Sequence, residues 1–187
     1  MRLTTPRIAP LTDEATWTDA QREVLAPMAK QGRLYNIFST LGHNPDALQA
    51  FLAWGSYVLR RTQLGARERE LAILRVGYLC RAGYEWAQHS RLGKQSGLTD
   101  IELANIKTGV EAAWSPNDRA LVQATDELHR NYFISDGTWR TLQGFLDERQ
   151  CMDLVFTVAH YTQVCMMLNT FGIQLDADLT PDPDLIA

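Results

Sequence analysis

Apolar residues recur at three- and four-residue intervals along most of the chain, and no stretch alternates as a half-buried strand would. The pattern predicts an all-α domain of about seven or eight helices. Thr18 caps a first helix over Asp19 to Lys30, with Gly32 just beyond its end. Pro45 opens a second helix running to about Thr62, with Leu48, Phe51, Leu52, Gly55, Val58 and Leu59 at helical spacing. After the turn at Leu64-Gly65, a third covers Arg67 to about Leu79, charged in its first turn and then apolar nearly all round from Leu71 to Cys80. Such a helix belongs at the centre of a core or in an oligomer interface. Gly83 reads as a break, followed by a helix from Tyr84 to Gln95 that Ser96-Gly97 stops. Thr99 with Glu102 forms a capping box for a helix through Lys107. Further helices are expected from Ser115-Pro116 to Arg130, from Asp136 to Phe145, and from Glu148 to Phe171. The acidic, Pro-containing tail, Asp176 to Ala187, reads as a loose arm or one that embraces a neighbour.

At 187 residues the chain is long enough to bury one continuous core, and a single domain over 1–187 is expected. A net charge of -4 spread along the chain includes no basic stripe to track a phosphate backbone, so nucleic-acid partners are not expected. The longest apolar runs, Leu71 to Leu74 and Val76 to Cys80, are too short to span a bilayer, and the N-terminus lacks the apolar segment of a secretion signal. The expected location is cytoplasmic, with no membrane partner. Cys80, Cys151 and Cys165 are far apart and include no C-x-x-C, so each reads as a small buried hydrophobe.

Candidate chemistry concentrates in Tyr84-Glu85-Trp86-Ala87-Gln88-His89. Residues i and i+4 on a helix lie one turn apart on one face, about 40° off. Glu85 and His89 can therefore enter one cavity, with imidazole moving protons near neutral pH and a carboxylate orienting it or tuning its charge. The bland alternative is a solvated i,i+4 surface pair. Arg75 is the one charge in an apolar run of ten; it must find a carboxylate, carbonyls or a subunit boundary, and could grip an anionic substrate. Tyr84 and Trp86 bracket Glu85 and could line a pocket, although core packing suits Trp86 equally. His160, with Tyr161, Thr162 and Gln163, interrupts an apolar helix with polarity and could furnish the far wall. His43 and His129 read as surface or cap residues. No H-E-x-x-H or E-x-x-H pair supports a metal site, and no metal is expected.

From Arg67 to Gly97 the chain resembles the carboxymuconolactone decarboxylase family, whose redox branch includes alkylhydroperoxidase D. The charged start Arg67-Glu68-Arg69-Glu70, the apolar Leu71-Ala72-Ile73-Leu74-Arg75, the Tyr84 to His89 block and the turn Gly97-Leu98-Thr99-Asp100 carry the likeness. The motif core extends over about 45–131, with N-terminal helices and the long C-terminal helix packed on it. The resemblance implies an alkylhydroperoxidase D-like helical bundle, assembled as a homo-oligomer, trimer or hexamer, with active sites near subunit interfaces. It places Glu70 and His89 where that family's redox branch has a glutamate and a histidine, whereas the two thiols of that branch would fall at Ala82 and Glu85 and are missing.

The expectation is therefore a thiol-free, decarboxylase-like lyase that needs no cofactor. It would act on a small oxygenated organic acid or lactone, in aromatic catabolism, with His89, Glu85 and Glu70 catalytic and Tyr84, Trp86, Arg75, His160 and Tyr161 binding substrate. Two alternatives stay open. One is a thiol-dependent hydroperoxidase using Cys80, a peroxiredoxin-like activity that the absent second thiol disfavours. The other is a non-catalytic ligand-binding protein on the same scaffold.

Overall fold

A computed structural model describes residues 2–186. Among the described residues nine α-helices follow one another, α1 (Asp19–Lys30), α2 (Asn36–Leu41), α3 (Pro45–Ser56), α4 (Ala66–Leu79), α5 (Gly83–Gln95), α6 (Asp100–Thr108), α7 (Pro116–Asn131), α8 (Asp136–Gln143) and α9 (Glu148–Phe171), and no strand occurs. The caps follow the sequence. Thr18, Thr99 and Asp147 each close a capping box with Gln21, Glu102 and Gln150, and Ser115 and Ser135 cap α7 and α8.

α4 is the axis of the molecule, packed against α5, α7 and α9. Leu71, Ala72, Ile73, Leu74 and Val76 are fully buried, as a helix apolar on all sides requires. A second, smaller cluster of Trp17, Leu25 and Leu48 packs α1 against α3. α4 and α5 meet closely at Gly77, where a Cβ would stand 3.3 Å from Glu85 Cγ. The break between these helices falls at Arg81, whose φ of 53° is left-handed, while Gly83 is already the first residue of α5.

Three expectations need correction. The helix from Pro45 does not run evenly to Thr62: after Ser56 it widens into a π-helical turn, Tyr57–Arg61. α2 was not expected, being six residues long and rich in Asn, Ser and Thr. The tail is not a loose arm. Asp176 accepts hydrogen bonds from Asn36 N (2.7 Å), Tyr84 Oη (2.5 Å) and Gln88 Nε2 (2.9 Å), Lys107 pairs with Asp182 and Asp184 at 2.7 Å each, and Leu185 is buried. The end of that expected tail, Ala187, lies outside the described residues. α9 is the one described helix long and apolar enough to cross a membrane, and 56% of its apolar window is buried inside the protein.

Candidate active site

α4 and α5 bring three ionisable side chains together in the interior. Glu70, His89 and Glu85 are 1%, 7% and 3% exposed. His89 Nδ1 donates to Glu70 Oε2 at 2.7 Å; since an ionised carboxylate only accepts, that nitrogen carries the hydrogen. The other ring nitrogen, Nε2, lies 3.0 Å from Glu85 Oε1 on the same helix. The contact is close but poorly aligned, and Glu85 Oε1 has no hydrogen-bond partner among the described residues. The imidazole is thus anchored through one nitrogen and free to act through the other.

Burial is the main influence on Glu85 and pushes its carboxyl up to about 7, with Glu70 adding to the rise and the His89 charge opposing it. Burial pushes His89 down, but the charge of Glu85 and the hydrogen bond and charge of Glu70 outweigh it, so the imidazole is raised. Both groups are shifted upward, and at 3.0 Å they titrate as a coupled pair and not separately. The Arg69 guanidinium stands 3.5 Å from Glu70 Oε1, which places a positive charge behind the buried carboxylate.

This array opens into a cavity of about 450 Å³. Glu85, His89, Tyr84 and Gln88 come from α5, while His160, Tyr161 and Val164 come from α9. Phe51, Leu52 and Gly55 from α3, and Leu59 and Arg60 from the π turn, form the opposite side. The Tyr161 and His89 rings meet nearly perpendicular at 4.9 Å between centroids, and His160 meets Tyr161 at 5.2 Å. His160 is 5% exposed, and its Nδ1 has no hydrogen-bond partner among the described residues. Burial, with the His89 charge, pushes it down to about 4, so it is neutral at pH 7. Gly55 makes its place, since a Cβ there would stand 3.3 Å from His160 Nε2.

The structure thus brings together His89, Glu85, Glu70, Tyr84, His160 and Tyr161. It does not bring Arg75 or Trp86 to the cavity. Arg75 makes a bidentate pair with Asp126, at 2.5 and 2.9 Å, and donates to Ile106 O and Lys107 O, so its charge is spent inside the core. Trp86 packs against Tyr78 and lies under Lys107 Nζ, on the other side of α5. Cys80 is also absent from this cavity. Arg33 and Arg60, both exposed, stand at its edge; neither was singled out, because each is an ordinary surface arginine by sequence.

An all-α bundle around a buried carboxylate–imidazole–carboxylate array defines a protein of the alkylhydroperoxidase D-like fold class. Over 91% of this chain and 94% of its own, the structure of an uncharacterised peroxidase-related protein from Ralstonia eutropha JMP134, described as an alkylhydroperoxidase AhpD core, superposes with a TM-score of 0.77 at 20% identity. A peroxidase-related protein from Silicibacter sp. TM1040 gives 0.73 at 19% identity, over 95% of this chain and 92% of its own. The debrominase Bmp8, in complex with 2,3,4-tribromopyrrole, gives 0.72 at 15% identity, over 93% and 94%. No curated relative matches the sequence. Residues 45–127 match the model of the carboxymuconolactone decarboxylase family.

Proposed function

We propose that the protein is a cofactor-independent, decarboxylase-like lyase for a small oxygenated organic acid or lactone, acting by proton transfer from the His89–Glu85 pair. The observation that carries this reading is the buried array Glu70–His89–Glu85 at the wall of a cavity of about 450 Å³. That volume suits a small molecule. The lining is mostly apolar, with Phe51, Leu52, Leu59 and Val164, which strengthens any charge interaction made inside it.

Decarboxylation leaves an electron pair on carbon, which the substrate's own carbonyl can accept as an enolate. The protonated His89 then delivers a hydrogen ion to that carbon through Nε2, while Glu70 holds the ring by Nδ1 and stabilises its positive charge. Glu85, titrating near neutrality, returns the proton to Nε2 after each turnover. His160, neutral and with Nδ1 unengaged, is placed to hydrogen-bond a substrate oxygen on the α9 side. Arg33 and Arg60 take the carboxylate-binding role expected of Arg75. A cytoplasmic location belongs to the same proposal.

The test is to supply ring-cleavage acids and lactones and follow carbon dioxide release. On a substrate so identified, His89→Ala should lower kcat by about 10²–10⁴-fold, the range of general acid–base catalysis, with an unchanged circular-dichroism spectrum. Turnover by His89→Ala at the wild-type rate would remove His89 from the mechanism.

A further inference from the structure

A second cavity, of about 780 Å³, lies at the other end of α4 and shares no residue with the first. α4, α7 and α9 all end at it, and their last turns contribute Leu79, His129 and Thr170. A helix C-terminus carries roughly half a negative charge and draws cations. Here the cations exceed that need. Arg2, Arg7 and Arg81 line the cavity, and among the described residues no carboxylate does. Arg7 Nη1 donates to Thr170 O at 3.3 Å, whereas the guanidinium groups of Arg2 and Arg81 make no hydrogen bond or ion pair among the described residues. This positive hollow belongs to a chain whose net charge is -4.

The backbone at Arg81 adds a second observation. Its φ of 53° is left-handed, a conformation that costs a residue with a β-carbon roughly 1–2 kcal/mol. Hydrogen bonds hold it there, from Arg81 N to Tyr78 O, from Ala82 N to Gly77 O and from Asn169 Nδ2 to Cys80 O, each 2.9 Å. Glycine or asparagine takes this conformation more easily, so the cation stands here at the expense of backbone strain. The rest of the lining is apolar, with Leu3, Leu79 and Met166, and Met166 is 62% exposed beside the arginines. The carboxylates whose charge reaches this end are engaged elsewhere: Asp126 holds Arg75 bidentately, and Glu85 lines the first cavity.

We propose that this second cavity binds a small organic anion, a carboxylate or a phosphate ester, with its charged group among Arg2, Arg7 and Arg81 and its apolar body on Leu3, Leu79 and Met166. Guanidinium forks suit either head group, since both offer paired oxygens to two parallel N–H donors. The site is separate from the His89 cavity and stands whether or not that cavity carries out decarboxylation. Cys80, half-buried in the same lining, reports on its occupancy. A hydrogen bond with Cys165 pulls the Cys80 thiol down and the Arg2 charge acts in the same direction, against burial and the Glu85 charge. An anion seated on Arg2 cancels that charge and covers the sulfur, so it slows alkylation of Cys80. Cys151 and Cys165 are buried outside this lining and serve as internal controls.

The experiment is alkylation of the full chain by N-ethylmaleimide, an uncharged reagent, with the rate at Cys80 read by peptide mapping. Phenylacetate and phenyl phosphate should each slow it saturably, whereas uncharged phenylacetamide and inorganic phosphate should be far weaker. Calorimetric titration with phenylacetate or phenyl phosphate should give the same half-saturation without reliance on the thiol. Arg81→Asn, which suits the left-handed backbone and removes the cation, should raise that concentration by about tenfold or more, as loss of one charge-assisted contact requires. Where Arg81→Asn unfolds by circular dichroism, Arg2→Gln carries the same expectation. Protection should persist in the Arg33→Gln/Arg60→Gln double variant, which separates this site from the first cavity. No binding of either anion by calorimetry, equal protection by phenylacetamide or by inorganic phosphate, or half-saturation unchanged in both Arg81→Asn and Arg2→Gln would overturn the proposal. So would protection that disappears in Arg33→Gln/Arg60→Gln.

Discussion

Glu85 illustrates how one residue can be costly to the fold and useful to the site. Its carboxyl is 3% exposed and one oxygen has no hydrogen-bond partner among the described residues, so ionising it is unfavourable. A carboxyl raised from 4.5 to about 7 contributes stability that is fully present below pH 4.5 and is lost as the pH climbs through 7. Glu85→Gln keeps the shape and removes the ionisation. Melting curves at pH 5 and pH 8 should therefore show Glu85→Gln gaining on the wild type as the pH rises. A wild-type advantage that grows toward pH 8 would mean that Glu85 is stabilised as an anion. Glu70 shows the limit of local reading: charged neighbours Arg67, Glu68 and Arg69 suggest an exposed first turn, yet its side chain is fully buried on His89. Only the tertiary placement of α5 across α4 decides that.

Helices were legible wherever a cap and an apolar period agreed. Thr18, Pro45, Thr99 and Ser115 mark real starts, and the bounds expected for the last helix, Glu148 to Phe171, are those of α9. α2 had neither signal, since six residues give no period and Tyr35 makes no side-chain cap. The π turn was equally hidden, because its residues, Tyr57 to Arg61, read as a continuing helix. Its effect is to direct Leu59 and Arg60 into the cavity lining. Gly77 controls the other side of the site. Gly77→Ala would gain up to about 1 kcal/mol in helix propensity. The added methyl would stand 3.3 Å from Glu85 Cγ, and overpacking of a tight core costs about 1–3 kcal/mol. Chemical denaturation should accordingly show a net loss of stability for Gly77→Ala; a net gain would indicate that α5 can shift without strain.

Across the whole molecule, segments distant in sequence complete the site. Arg75 and Asp126 are 51 residues apart, and nothing in the run around Arg75 names its partner. The expected anion grip became a core ion pair for that reason. The C-terminal segment is the clearest case: Asp176 ties Tyr84 and Gln88, both on the cavity wall, to the start of α2. An acidic stretch with prolines looks free by composition, and only the donors waiting on α2 and α5 reveal otherwise. Asp176→Ala would leave several of those donors without their acceptor, at about 1–3 kcal/mol for a buried group. Its melting temperature should fall, and ligand binding in the first cavity should weaken with it. An unchanged melting temperature would show the segment to be ornamental to the fold.

The central claim is that His89 is a raised imidazole, anchored by Glu70 and facing Glu85 in a sheltered cavity. Nitrogen-detected NMR titration of its ring, in the wild type and in Glu70→Gln, tests this most directly. The account predicts a titration midpoint above the ordinary histidine value of about 6.5 in the wild type, falling in Glu70→Gln. A midpoint at or below that value, unmoved by the substitution, would contradict it.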